Sequence, residues 1–362
     1  MTPHELTREQ ARRIIVRAAL LDADRPGDVV EVAEQIAQIK IDPTAVISPC
    51  EHTTLWSRIG WSYEPGQLKK AVEQDRLLFE FDGAFRPMSL LPAMLPGMRA
   101  TQLRQRAAEW FDANKSFRRD VLDRLTAEGP LLASDIPDTA SEARVPDGWS
   151  GTNQVSLMLD LLSRLGEVGI IARDGRHRIW DVAERAFPSD LPVLTEAEAA
   201  AELEHRNLQA AGLARPNPWW SGVGKDAGEP ARIEGVTTCF RVDPDALAAL
   251  DEPDPGGRVA LLNPYDRLLF DRKRLTEVFG FTYVLEQFKP KAQRVNGYFA
   301  HPILCGDDII GMLDAEHDRT RQVLRVNAVH EFGVWTEDEH ELVRMEISEL
   351  AEWLGVPVTG LG

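Results

Sequence analysis

Cysteine is scarce in this 362-residue sequence, and Cys50, Cys239 and Cys305 stand far apart with no CxxC pair among them. That spacing argues against a zinc site and suits a reducing cytoplasm. Long apolar runs are missing too. Nothing approaches the ~18 residues that span a bilayer, and the opening MTPHELTREQARR has no apolar signal core. No membrane partner is expected. Positive charge is also short: 41 Lys and Arg stand against 58 Asp and Glu, a net charge of −17. Such a balance argues against a nucleic-acid partner, because phosphate contacts need concentrated Lys and Arg. The hydrophobic fraction of 43% and charged fraction of 27% are those of a folded globular protein, long enough for two or three domains.

The charge is unevenly spread. Residues 258–300 carry 8 basic and 4 acidic side chains, whereas 186–257 and 301–362 hold most of the excess acid. A local basic face on an acidic protein is therefore available.

Hydrophobic spacing gives the organisation. Leu6, Ala11, Ile14, Ile15, Ala18 and Leu21 predict an amphipathic helix over 6–21 with Thr7 as its cap. Further helices are expected at 29–39 and 66–75, followed by a hairpin around Asp82-Gly83, a pair suited to positive φ. This helix–helix–helix–hairpin order is that of a winged helix-turn-helix. It recurs about 92 residues later, with a helix to Leu165, a Gly166 stop and a hairpin around Asp174-Gly175. Two helix–hairpin units packed for stability alone would read similarly. A third module, with a helix at 195–212 and a wing near 236–242, is weaker. After the linker EPDPGG, the strand-like runs RVALLN, FTYVLEQF, GYFAHPIL, DIIGMLDA and QVLRVNAVHEF suggest an antiparallel sheet. A final helix carries a stripe of Leu342, Met345, Leu350 and Trp353. The fold class is α+β: winged-helix modules at 1–97 and 98–190, a possible third at 191–252, and a β-rich domain with a terminal helix at 253–362.

Chemistry concentrates in QIKIDPTAVISPCEHTTLWSR, Gln38 to Arg58. Asp42 is either a catalytic acid or an Asp-Pro turn former that bonds the backbone two residues on. His52, Trp56 and Arg58 share helical spacing; Arg58 suits a phosphate, His52 suits a phosphate or a helix cap, and Trp56 suits the core. In 258–300, Arg272, Lys273, Lys289, Lys291, Arg294 and Tyr298 interleave cations with aromatics, as a DNA backbone track or a solvated face would. Asp271 reads as an ion-pair partner.

Four stretches together resemble the YcaQ-like crosslink-repair DNA glycosylases, a family of tandem winged-helix proteins. They are IDPTAVISPCEHTTLWSR; RDVLDRLTAEGPLLASDI with its wing GIIARDGRHRIWDVAERAFP; LLNPYDRLLFDRKRLTEVFGFTYVLEQFKPKAQRVNGYFAHPIL; and GDDIIGMLDAEHDRTRQVLRV. The resemblance implies hydrolysis of N-glycosidic bonds in double-stranded DNA carrying alkylated or crosslinked bases, without a metal or other cofactor. It also implies that Asp42 is catalytic, within a Gln-apolar-Asp signature. Here Lys40 occupies the glutamine position and Gln38 lies two residues upstream. The alternative is a winged-helix DNA-binding or regulatory protein that lost catalysis with that glutamine.

Overall fold

The computed structural model describes residues 2–143, 153–219 and 221–361. Contacts divide the chain into two compact units, Met1–Gln67 with Glu204–Gly362, and Leu68–Leu203. This division runs across the sequence boundaries placed at 97, 190 and 252. Mixed helix and sheet is found in both units.

In the first unit the N-terminal helix is Arg8–Ala18, shorter than the expected 6–21. Its start is fixed by a capping box in which Thr7 accepts from the Gln10 backbone and Gln10 reaches back to Thr7. Leu6 falls outside it because His4–Leu6 is a strand, parallel to Glu229–Ile233. That strand joins Cys239–Val242, near the expected wing, which pairs in turn with Leu213–Ala214. Ala11, Ile14 and Ile15 pack into one core with Phe240, Val242, Leu268, Leu275, Leu304 and Met312. Sequence-distant segments therefore share a single apolar centre.

The C-terminal sheet has five strands: Val259–Leu261, His301–Cys305, Asp308–Asp318, Val323–Glu331 and Val358–Thr359, in that order. All neighbours are antiparallel except the last pair. Two expectations are corrected here. FTYVLEQF forms no strand; it comes after the helix Arg272–Phe279, which ends at Gly280 with left-handed φ, and runs as irregular chain. The stripe on the helix Glu337–Trp353 is also turned: Val343, Ile347, Leu350 and Ala351 face inward, while Leu342 and Met345 are 45% and 51% exposed. Glu346 points inward with them, a carboxylate that a reading by apolarity passes over.

In the second unit the hairpin Leu78–Phe81/Ala84–Pro87 turns at Asp82 and Gly83, both with positive φ. The hairpin Val168–Asp174/His177–Val182 turns instead at Gly175-Arg176, since Asp174 still pairs with His177. The two hairpins join edge to edge through Glu80 and Ile170 in one sheet, with Leu131–Leu132 added beyond the second. Buried Glu80 accepts from Arg173 and Arg178, which holds this junction electrostatically. Among the described residues, no helix is long and apolar enough to cross a membrane.

Candidate active site

The segment carrying Asp42 is fixed from both ends. Asp28 caps the helix Val29–Ile36, and Ala37 ends it in the left-handed conformation. The chain then extends through Ile39–Lys40, where Ile39 is fully buried and Gln38 and Lys40 are half-buried. Alternation along extended backbone puts Gln38 and Lys40 on the side opposite Ile39.

Asp42 is half-buried. Its Oδ1 accepts from Thr44 N at 2.9 Å, the local turn expected of Asp-Pro. Among the described residues no hydrogen bond reaches Oδ2, so half of the carboxylate stays available. The adjoining loop is clamped by the sheet. His317 N donates to Val46 O at 2.9 Å, and Arg319 Nη2 donates to Ala45 O at 3.2 Å.

Beyond that loop begins the helix Cys50–Ile59. Asn263 ties it to the neighbouring turn: its Oδ1 accepts from Cys50 Sγ at 3.2 Å and from Tyr265 N at 2.9 Å, and its Nδ2 donates to Thr53 at 2.7 Å. Tyr265 is thereby tied to the start of the Cys50–Ile59 helix. Its Oη accepts from Gln287 Nε2 at 2.7 Å, and its ring packs on Phe299 at 5.7 Å. Burial pushes the Tyr265 phenol up, and the charge of Asp42 adds to that shift. The Cys50 thiol is likewise raised by burial, then by Glu51, Asp266 and Asp42. Both groups stay protonated at neutral pH.

Two residues expected at a DNA surface are placed otherwise. Arg58 is 0% exposed. Its guanidinium binds Asp266 with both nitrogens, one at 3.0 Å, and its Nε donates to Ala19 O at 3.1 Å. It is a structural ion pair, beyond the reach of a phosphate. His52 bonds Tyr63 Oη at 2.7 Å, and burial lowers its pKa to about 4. It is therefore neutral at pH 7 and offers no charge to a phosphate. Trp56 is 2% exposed, a core residue as expected.

In 258–300, Asp271 caps the helix Arg272–Phe279 and pairs with Arg215 at 2.6 Å, so it is an ion-pair partner. Arg272 lies 4.1 Å over the Tyr283 ring, and Lys273 pairs with Glu277 at 3.5 Å. The chain 284–298 is a closed loop. Buried Glu286 accepts from Val295 N at 2.7 Å and Asn296 N at 2.8 Å, and pairs with Lys289 at 2.9 Å. Arg294 donates to Lys289 O at 3.0 Å and sits 4.8 Å over the Tyr298 ring. Lys291 is exposed and makes no ion pair among the described residues. Of the expected cations it is the one left most available.

Sequence reasoning passed over two residues here. Phe288, 79% exposed, sits at the head of the closed loop. Arg319, on the strand turn that clamps the Asp42 loop, is exposed. A basic–aromatic count that included Phe288 would have found the first; the second depends on a contact across more than two hundred residues.

A family model described as DNA glycosylase AlkZ-like matches residues 33–353, a span that includes Asp42 and the joined hairpins. Among solved structures, the chain is similar to the Streptomyces sahachiroi DNA glycosylase AlkZ, with a TM-score of 0.65 and 14% identity over 98% of this chain and 99% of that one. At that identity the likeness establishes the fold, and the family model meets the expectation raised by the four sequence stretches. The chain belongs to the AlkZ-like DNA glycosylase family, hydrolases of N-glycosyl bonds.

Proposed function

We propose that this glycosylase releases alkylated purines, or unhooks crosslinked ones, by hydrolysis in which Asp42 is the catalytic carboxylate. Alkylation at N7 or N3 leaves the base cationic and a good leaving group. The sugar then gains oxocarbenium character, which a carboxylate near C1′ stabilises while taking a proton from water. The observation that carries this reading is the Oδ2 of Asp42, without a hydrogen-bond partner among the described residues, on a loop clamped by His317 and Arg319.

Lys40, at the family's glutamine position, donates hydrogen bonds only and so cannot hold a water from both sides. Its role is to bind phosphate or bias the nearby charge. Gln38 shares its side of the extended segment and is the amide nearest in sequence. The helix–hairpin series in the chain act as winged-helix modules that straddle duplex DNA. Lys273, Lys289, Lys291 and Arg294, with Tyr298 and Phe288, form the local track for strand and base in a protein of net negative charge. Arg272, stacked on Tyr283, supports that track from within. An open cleft suits adducts too bulky to flip into a closed pocket.

The test is incubation of the purified protein with duplexes carrying N7-methylguanine, N3-methyladenine or a nitrogen-mustard crosslink, with free base measured by chromatography. Release from at least one of them is expected, with no metal added and chelator present. No release from any, by a protein shown to be folded, removes this reading.

A further inference from the structure

We propose that the closed loop 284–298 is a wedge whose Phe288 ring enters the base stack of the duplex and holds two stacked bases apart; this rests on the reading of duplex DNA as substrate. Apolar side chains scattered singly over a surface are ordinary. Here they gather: of the twelve large apolar side chains exposed among the described residues, Val284, Phe288, Val295 and Tyr298 fall within these fifteen positions. The same stretch carries Lys289, Lys291 and Arg294 against the single carboxylate of Glu286, in a chain of net charge −17. An apolar tip set among cations fits a polyanion with an apolar interior, which describes a stacked duplex.

The loop is built to keep its shape. Lys289 N donates to Glu286 O at 2.9 Å, closing a tight turn with Gln287 and Phe288 at its corners. Gln287 is bonded to Tyr265 at 2.7 Å, whereas Phe288 stands in solvent and stacks on no other ring among the described residues. The buried Glu286 carboxylate draws in the far arm through Val295 N and Asn296 N, and leaves the Val295 side chain 73% exposed. At the stem, Gly297 has a φ of +118°, and a methyl group there would fall 2.3 Å from the Asp314 carboxyl carbon. The loop is thus seated on the strand Asp308–Asp318 by an approach that only glycine allows.

Rigidity is what insertion needs. Parting two stacked bases costs free energy, which a ring stacked between them recovers only if the loop does not yield. Lys291, exposed and without an ion pair among the described residues, is placed three positions on to take a flanking phosphate. A wedge also suits a bulky adduct, because unstacking beside the lesion opens its C1′ without swinging the adduct into a closed pocket.

The experiment places 2-aminopurine, which fluoresces when unstacked, at successive positions on either strand around an N7-methylguanine whose 2′-fluoro sugar resists cleavage. Fluorescence at saturating protein, affinity and thermal unfolding are recorded for wild type, Phe288→Ala and Phe288→Leu. Wild type should raise the fluorescence several-fold at one step. Phe288→Ala should lose that rise and bind about tenfold more weakly at unchanged melting temperature, while Phe288→Leu, still an apolar wedge, should keep most of both. Binding by wild type without a rise at any position overturns the wedge, and so does a rise that survives in Phe288→Ala. Because this duplex is not cleaved, the result is independent of hydrolysis. If wild type unstacks the duplex as described but releases no base from the unfluorinated lesion, the wedge stands and the assignment of Asp42 falls alone. If wild type does not bind duplex DNA, both fall together.

Discussion

Arg58 and Asp42 show how far a single residue can be read. Arg58 has the chemistry of a phosphate ligand, yet its partner Asp266 lies 208 positions away, and nothing local announces the pairing. Removing one member of a buried pair leaves the other charge unpaired at a cost of about 3–5 kcal/mol. Arg58→Met should therefore lower unfolding free energy in denaturant titration by that amount. DNA affinity per folded molecule should stay the same; a selective loss of affinity in a fully stable variant would restore the surface role. For Asp42 the turn reading is met, since one oxygen accepts from Thr44 N, while the other has no hydrogen bond among the described residues. The position was legible, but the division of labour between two oxygens was not. If Asp42 alone carries the hydrolysis, Lys40→Gln should leave the rate of base release within a few-fold of wild type. A hundredfold change in either direction would show that Lys40 sets the chemistry.

Among the elements, those built on local periodicity were legible. The cap at Thr7, the Asp82-Gly83 hairpin and the C-terminal strands arise from spacing and turn chemistry. FTYVLEQF misled because its alternation is genuine. Phe281 and Tyr283 are buried while Thr282 and Val284 are exposed, yet the segment finds no strand to pair with. It leads into the loop closed by Glu286, whose bonds to Val295 and Asn296 need the folded chain to exist. That closure displays Phe288 to solvent beside Lys289 and Lys291. Stacking on a base is worth about 1–3 kcal/mol, so Phe288→Ala should weaken binding to lesion-bearing duplex by tenfold or so in fluorescence titration. Stability should not change, since the ring is 79% exposed. Phe288→Trp should keep the affinity. Equal affinity in the alanine variant would assign the exposed ring to some other contact.

At the scale of the whole molecule, an acidic chain still places cations inside: among the described residues Arg58 and Arg274 are buried. Arg25 and Arg258 lie near Glu346, whose pKa burial nevertheless raises to about 7. The folded state thus binds more protons than the unfolded state between about pH 4.5 and 7. This contribution to stability is complete at low pH and is lost as pH rises through 7, a loss of about 3 kcal/mol. His52 and His301 act in the opposite sense. Burial lowers each to about 4, so their contribution holds above pH 6.5 and disappears as pH falls to 4. Glu346→Gln should raise the melting temperature at pH 8 and leave it nearly unchanged at pH 4.5. An equal shift at both values would contradict the burial of a carboxyl there. None of this was visible in a net charge of −17, which records how many charges there are and not where they lie.

The most direct measurement is the single-turnover rate of base release from an N7-alkylguanine duplex by wild type and by Asp42→Asn, with DNA affinity recorded for both. Hydrolysis at Asp42 requires release by wild type and a rate at least about a hundredfold lower in the variant, at equal affinity. Equal rates in the two proteins would contradict it.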